Sequence, residues 1–392
     1  MNILFHSWAY FPNGGGVGAY FSNMSKALAE YGHNIVVLTG RSEGMPDVEV
    51  KPNLTVLRKY NAEEIGSRKV VNLVFDTIDR YSIKFIEGAD YLGDCARLLH
   101  VSNRPPVLIK IHGCNILDVV YESQVLFTWQ RLFIKAAVLR NWKLTSREKQ
   151  SIQRADYLAA PSRKIIKEMK KQKIRLPLNR FVIPNPIRIE NRQPGTEAPY
   201  PILLLVARLD IGKGIQYLPA VLRHLVNEFP DLSIEIAGED SYARGIGSLK
   251  KWLIKEAGEL ADRLCFLGQL AKEDLNAAYQ RSWVVIVPSR WDNFPTVVLE
   301  AMSHKKPVVA TPHGGMPEML EGTLCKIARP DTEAFSEEIA CLLRDSSLRK
   351  AAGVSMFEKA VKEYAPNVVA AAYTSMIEEC MKVHTRRKTK AF

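Results

Sequence analysis

Short apolar runs of four to seven residues alternate along this chain with longer stretches of helical periodicity, and no other feature constrains its fold as strongly. The runs fall near 2–7, 34–39, 54–58, 107–111 and 157–160, then near 201–207, 232–237, 263–267, 283–287, 307–310 and 324–327. Strand-length runs separated by helix-length segments predict parallel sheets with crossover helices. Between them, Val17–Tyr31 is stopped by Gly32 and Ile215–Phe229 by Pro230, as helices commonly are. A chain of 392 residues exceeds one ordinary core and suits two domains. The break falls at Ile183-Pro-Asn-Pro-Ile187, followed by the polar stretch Asn191–Tyr200. The expected organisation is therefore a first domain over 1–186, a second over 187–365, and a last segment, 366–392. In that segment a helix over about Asn367–Val383 follows Pro366, and the basic tail Arg386–Lys390 is expected to be disordered. Each domain should be a doubly wound, Rossmann-like α/β sheet. Open sheets of this kind bind ligands beyond the carboxyl ends of their strands, so two facing carboxyl edges would make one cleft.

Several function classes are disfavoured by composition. The six cysteines, Cys95, Cys114, Cys265, Cys325, Cys341 and Cys380, are scattered singly without C-x-x-C spacing, which favours reduced thiols in a cytoplasmic protein over a zinc site or a disulfide framework. Asn2-Ile-Leu-Phe5 reads as a strand, not as a charged leader, and no apolar run approaches the ~18 residues that span a bilayer. Charge is uneven. Residues 1–190 hold 28 Lys+Arg against 17 Asp+Glu, net +11, and residues 191–392 hold 26 against 25, net +1, which together give the overall +12. The excess concentrates in Arg131–Lys149 and in Arg163–Arg180. Each reads either as an amphipathic basic helix facing anionic lipid or as a solvated face. Nucleic acid is not expected, because neither an aromatic single-strand platform nor a zinc finger accompanies the charge.

The segment Pro288-Ser-Arg-Trp-Asp292-Asn-Phe-Pro-Thr-Val-Val-Leu-Glu300 sets two carboxylates eight positions apart across a strand-to-helix turn. Phe294 and Pro295 break the strand, and from about Thr296 the pattern is helical, so the first-turn amides of Thr296 and Val297 lie open to an anion such as a diphosphate. Glu300, one turn on, can accept from two ribose hydroxyls. Asp292, before the turn, can meet sugar hydroxyls on the other side of the phosphates. Taken singly, each acid reads more readily as a solvated loop residue or a favourable charge near a helix N-terminus.

Other polar groups stand at strand ends. Arg208-Leu-Asp-Ile-Gly-Lys213-Gly follows the apolar run 201–207, and Arg208 with Lys213 can neutralise the charge of a diphosphate, though an isolated basic pair in a loop is more often surface charge. His112 follows Val107–Ile111, and Glu239 follows Ser233–Ala237. The cluster Gly14-Gly15-Gly16-Val17-Gly18 opens a helix and allows close approach of phosphate. As a dinucleotide fingerprint it is poor, because about six residues separate it from its strand and no acid ends the second strand, Val36-Val-Leu-Thr-Gly40.

The carboxylate segment resembles the signature of retaining glycosyltransferases of the GT-B fold in their largest family, group 1 or family 4-like, in which a Glu stands eight residues before a second Glu. Here Asp292 holds the first position and Glu300 the second. Arg208-Leu followed by Lys213-Gly matches the same family's pattern, Gly15-Gly16-Val17-Gly18 is similar to its N-terminal glycine loop, and His313-Gly-Gly-Met-Pro-Glu318 resembles a further loop near the site. The resemblance implies a nucleoside-diphosphate sugar donor, expected to be UDP- or GDP-linked, a hydroxyl acceptor and retention of anomeric configuration. It gives Gly15 and Gly16 contact with the diphosphate, His112 a place beside the transferred sugar, and Asp292 the donor sugar. Arg208, Lys213, Asn293, Phe294, Thr296, Val297 and Glu300 would line the donor site. It implies no metal and no separate cofactor, since cationic side chains would do a metal ion's work. It also implies a last helix that crosses back onto the first domain. Beside envelope glycan or glycolipid assembly at the inner face of a membrane, two alternatives stand: a nucleotide-sugar epimerase and a nucleotide-sugar-binding protein without turnover.

Overall fold

The computed structural model describes residues 1–12, 15–113, 142–189, 196–243, 245–331 and 333–390, with the backbone alone for 142–145 and 387–390. The chain separates into two compact units, Met1–Arg188 with Glu363–Phe392, and Ile189–Lys362.

The first unit is built on an eight-stranded sheet in the spatial order Val48–Lys51, Leu54–Tyr60, Asn34–Gly40, Asn2–His6, Phe85–Ala89, Val107–Lys110, Tyr157–Ala160, Arg180–Val182. All pairings are parallel except that of Val48–Lys51 with Leu54–Tyr60. Helices cover both faces, so the central strands are apolar throughout: Ile3, Leu4, Phe5, Val107, Leu108 and Ile109 are all fully buried. The helix Gly15–Glu30 lays Tyr20, Phe21, Met24, Ala27 and Leu28 on the sheet. The final helix, Pro366–Lys390, packs in the same core through Val369, Ala370, Tyr373, Met376, Ile377 and Cys380, a stripe with three- and four-residue spacing. Hydrogen bonds fix it along its length, among them one from Tyr157 Oη to the Cys380 carbonyl at 2.6 Å and one between His33 Nε2 and Thr374 Oγ1 at 2.8 Å.

In the second unit a six-stranded parallel sheet runs Leu264–Gly268, Ser233–Ala237, Ile202–Val206, Val284–Val287, Val308–Ala310, Lys326–Ile327. In chain order that is 3-2-1-4-5-6, the doubly wound arrangement whose winding reverses between strands one and four. The first unit repeats it: without the antiparallel edge strand Val48–Lys51, its first six strands also run 3-2-1-4-5-6.

The expected fold class is present in both units, with differences in detail. Phe85–Ala89, Val48–Lys51 and Arg180–Val182 are strands that the apolar runs do not announce. The helix expected over Ile215–Phe229 is a 3-10 turn, Ile215–Tyr217, and a helix, Leu218–Leu225, with Pro219 in its first turn. Helix also continues through the basic tail to Lys390, where disorder was expected. No glycine or proline stands there to break a helix. Of Arg131–Lys149, residues 131–141 lie outside the described residues, and its end belongs to the helix Trp142–Arg154.

Candidate active site

Winding reversal in the second unit brings two loops side by side, the one leaving Ile202–Val206 and the one leaving Val284–Val287. They carry the groups singled out from the sequence. In the first, the Asp210 side chain accepts from Gly212 N at 2.7 Å and caps the 3-10 turn Ile211–Lys213. The turn closes on Gly214 at φ +80°, where a Cβ would stand 2.1 Å from the Pro288 carbonyl oxygen of the second loop. Arg290 N donates to Gly212 O at 2.9 Å across the same seam. Only a glycine lets the backbones approach this closely, and the approach sets Lys213 opposite Asp292.

Lys213 Nζ donates to Asp292 Oδ2 at 2.7 Å, with the two side chains 38% and 19% exposed. In water such a pair contributes about 0–1 kcal/mol, so its ions can be drawn to another partner at little expense. Arg208 is 67% exposed and stands 3.5 Å from Asp210 Oδ2. Glu239 is exposed at the end of the neighbouring strand, its carbonyl accepting from Leu209 N at 2.9 Å.

A third loop braces the second. Gly315 N donates to the Asp292 carbonyl at 3.0 Å, and a Cβ on Gly314 would lie 1.7 Å from that oxygen. The run His313–Glu318 thus shapes the turn that carries Asp292. Asn293 is buried, its Oδ1 accepting from Trp291 Nε1 at 2.9 Å, so its side chain is held within the turn. Phe294 is buried beside it.

The helix Thr296–Ser303 starts after Pro295, and no side chain caps it. The amides of Thr296 and Val297 therefore open its positive end, directly after the turn bearing Asp292. One turn further, Glu300 Oε2 accepts from Tyr279 Oη at 2.7 Å. Burial raises the Glu300 carboxyl above its usual range, and the tyrosine bond works against that rise.

In the first unit the equivalent reversal lies between Asn2–His6 and Phe85–Ala89. His112 follows the next strand, its ring packed on Tyr20 at 4.4 Å and on Phe21 at 5.4 Å between centroids, both from the helix that Gly15 and Gly16 open. Those two glycines are exposed; Gly14 is outside the described residues. Desolvation, with the charge of Lys110 acting in the same direction, holds the His112 imidazole well below its usual pKa and hence neutral near pH 7.

Beneath His112 lie acids that sequence reading missed. Asp90 is fully buried, accepts from His112 N at 2.9 Å, and is pushed up to about 7 by burial. Its signal, an acid at a strand end, is visible only to a reader who has placed the strand Phe85–Ala89. Within that strand Glu87 is buried, accepts from Tyr373 of the final helix, and is also raised to about 7 by burial. Lys110, on the next strand, donates to the Ile183 carbonyl, and its Nζ lies 5.1 Å from the centroid of the Tyr20 ring. Burial brings it down to about 7. Asp94 accepts from Trp8 N at 2.6 Å and is raised to about 7, while burial lowers His6 to about 4.

The described residues contain no group of three or more His, Cys, Asp or Glu arranged to hold a metal ion, and no helix long and apolar enough to cross a membrane.

Two family models match in succession, Glycosyltransferase Family 4 over residues 14–191 and Glycosyl transferases group 1 over 187–355. Among curated proteins, the phosphatidylinositol N-acetylglucosaminyltransferase gpi3 subunit of Schizosaccharomyces pombe is 24% identical over 347 residues, spanning 86% of this chain and 71% of that protein. Among solved structures, sucrose-phosphate synthase from Thermosynechococcus elongatus superposes with a TM-score of 0.78 at 21% identity, covering 98% of this chain and all of that one. Anabaena HepE in complex with UDP-glucose superposes at 0.67 and 18% identity, over 97% of this chain and all of that one.

Proposed function

We propose that this chain, a member of the group 1, family 4-like glycosyltransferases of the GT-B fold, moves a hexose-type sugar from a nucleoside diphosphate to a hydroxyl acceptor with retention of configuration. The reading rests on one observation: at the winding reversal of the second sheet, Lys213 meets Asp292 immediately before the uncapped helix that carries Glu300. The donor diphosphate lies on Arg208, Lys213 and the amides of Thr296 and Val297, which stabilise the charge that grows as the sugar leaves. Glu300 accepts from the ribose hydroxyls. Asp292 and His112 meet the sugar hydroxyls, His112 in its neutral form. Gly15 and Gly16 leave room for the diphosphate. Asn293 and Phe294 act by holding the turn. The departing diphosphate takes the acceptor proton on the face it leaves, so no carboxylate nucleophile is assigned, and the cationic side chains take the part that a metal ion plays elsewhere. UDP-glucose, the ligand of the Anabaena neighbour, is the first donor to try.

The acceptor in this reading is lipid-linked or part of an envelope glycan, met at the cytoplasmic face of an anionic membrane. The helix Arg163–Lys171 buries Ile165, Glu168 and Met169 and exposes Lys167, Lys170 and Lys171, and Leu178 beyond it is 84% exposed. Cations around an exposed apolar side chain suit a bilayer surface.

A thermal-shift panel of UDP-, GDP- and ADP-sugars tests the donor, because a ligand of the folded form alone raises its melting temperature. One donor series should stand out, and no shift with any of them would end the proposal. With that donor, turnover should require an acceptor and fall sharply in His112→Ala. Conversion to another nucleotide sugar without acceptor would make the protein an epimerase, and saturable binding without turnover a binding protein. Flotation with anionic vesicles at low salt, equal to that with neutral ones, would remove the membrane component.

A further inference from the structure

Glu300 is held from behind. Tyr279, on the helix Lys272–Arg281, is 1% exposed, and its hydroxyl reaches Glu300 Oε2 at 2.7 Å while standing 3.5 Å from the Val297 carbonyl. The flat of its ring is covered by the His304 imidazole, centroids 4.8 Å apart and planes 12° from parallel. His304 is itself placed twice. Its backbone N–H bonds to the Glu300 and Ala301 carbonyls at 3.1 and 3.2 Å, and Nε2 lies 3.2 Å from Asn276 Oδ1 on the helix that carries Tyr279. Phenol, imidazole and carboxylate therefore form one packed set bridging two helices.

A carboxylate on an unbraced helix samples several rotamers, and recognition of two adjacent hydroxyls needs one of them. Here the phenol engages Oε2 and leaves Oε1 outside that bond. We propose that Tyr279, backed by His304, is a positioning residue that fixes the Glu300 carboxylate for the ribose diol and so sets a preference for ribonucleotides over deoxyribonucleotides. This rests on the donor site proposed above. Burial also favours the protonated form of Glu300 and the tyrosine bond opposes it, so the same contact works toward the ionised carboxylate that binding needs.

The test is calorimetric titration of the full chain with UDP, GDP and ADP and with their 2′-deoxy counterparts, from pH 5 to 8. The unaltered protein should prefer the ribose form of its best nucleotide. Tyr279→Phe, which keeps the ring, should lower that preference roughly fivefold while changing affinity for the deoxy form by less than about twofold. It should also move the acid limb of binding to higher pH, because burial of Glu300 is then unopposed. Glu300→Gln should abolish the preference. A folded Tyr279→Phe with the original ratio and the original acid limb overturns the proposal and leaves the donor site standing. A Glu300→Gln protein with the original ratio sinks the donor reading itself. If Tyr279→Phe does not fold, His304→Leu removes the stacked ring and spares the phenol; it should lower the ratio about twofold, and an unchanged ratio there overturns the proposal equally.

Discussion

The two sheets share a winding order and reverse it at equivalent places, yet the groups they gather there are treated oppositely. At the carboxyl edge of the second sheet the charges on the two loops before the Glu300 helix are wet and loosely held: Arg208 is mostly exposed, and Lys213 and Asp292 share a partly exposed ion pair. At and beneath that of the first, Glu87, Asp90, Asp94 and Lys110 are buried, and burial draws every one of them toward neutrality near pH 7. A solvated ion can be handed to a ligand. A buried one is committed to the backbone or ring that satisfies it, as Asp90 is to the His112 amide. Common topology thus places chemistry without choosing it, and the exposure of the same few loop positions decides whether charge binds or builds.

The largest effect is expected where charge binds. Replacing Arg208 and Lys213 together by alanine removes both cations from the proposed leaving group and should lower kcat/KM by about a thousandfold or more. The melting temperature should hold, because exposed pairs add little stability. A folded double variant with undiminished transfer would break the comparison at its root. Next comes Lys110→Met in the first unit. It strips Glu87 and Asp90 of the buried charge that opposes theirs, and removing one member of a buried set costs about 3–5 kcal/mol. Denaturant titration near pH 7, where the ammonium and both carboxyls are each partly ionised, should show that loss.

Legibility followed the same division. Arg208, Lys213, Asp292 and Glu300 were readable because each follows an apolar run that marks its strand, so their place at a carboxyl edge could be inferred before any coordinates. Phe85-Ile-Glu-Gly-Ala89 carries an acid and a glycine in its middle and does not look like a central strand, although it is one. The buried Glu87 that hid it is the most unusual chemical feature of that sheet, and missing the strand also hid Asp90 and Asp94 behind it. Val48–Lys51 and Arg180–Val182 escaped for the ordinary reason that short edge strands need no apolar run; Val50 is 73% exposed. Tyr279 gave no signal, since an aromatic residue on a helix is far more often packing than a brace for a carboxylate.

Asp94→Asn sharpens the contrast through pH. Burial raises the Asp94 carboxyl to about 7 from an ordinary value near 4. A carboxyl whose folded pKa lies above its unfolded one contributes stability that is full below the unfolded value and lost as pH rises through the folded one. Asparagine keeps an oxygen for the Trp8 amide and has no proton to lose. The variant should therefore match the original protein near pH 4 and exceed it by on the order of 2–4 kcal/mol at pH 8. An equal stability gap at both pH values would show that burial does not neutralise this acid.

The smallest expected effect bears most directly on the wet edge, because its sign is unusual. In the ligand-free protein Asp292 occupies Lys213, so a nucleoside diphosphate must draw the ammonium away from a carboxylate before it can use it. Asp292→Asn removes that competitor and one unfavourable charge, and affinity for the bare nucleoside diphosphate should rise roughly three- to tenfold. The nucleotide sugar should gain less, since the same carboxylate is proposed to hold the sugar, and transfer should fall. The ratio of nucleotide to nucleotide-sugar affinity, measured by titration in both proteins, is the informative quantity. A rise confined to the bare nucleotide identifies Asp292 as a group that passes from lysine to sugar. Weaker binding of both ligands would mean that the ion pair orients Lys213 and does not restrain it, and the wet edge would then be built as firmly as the buried one.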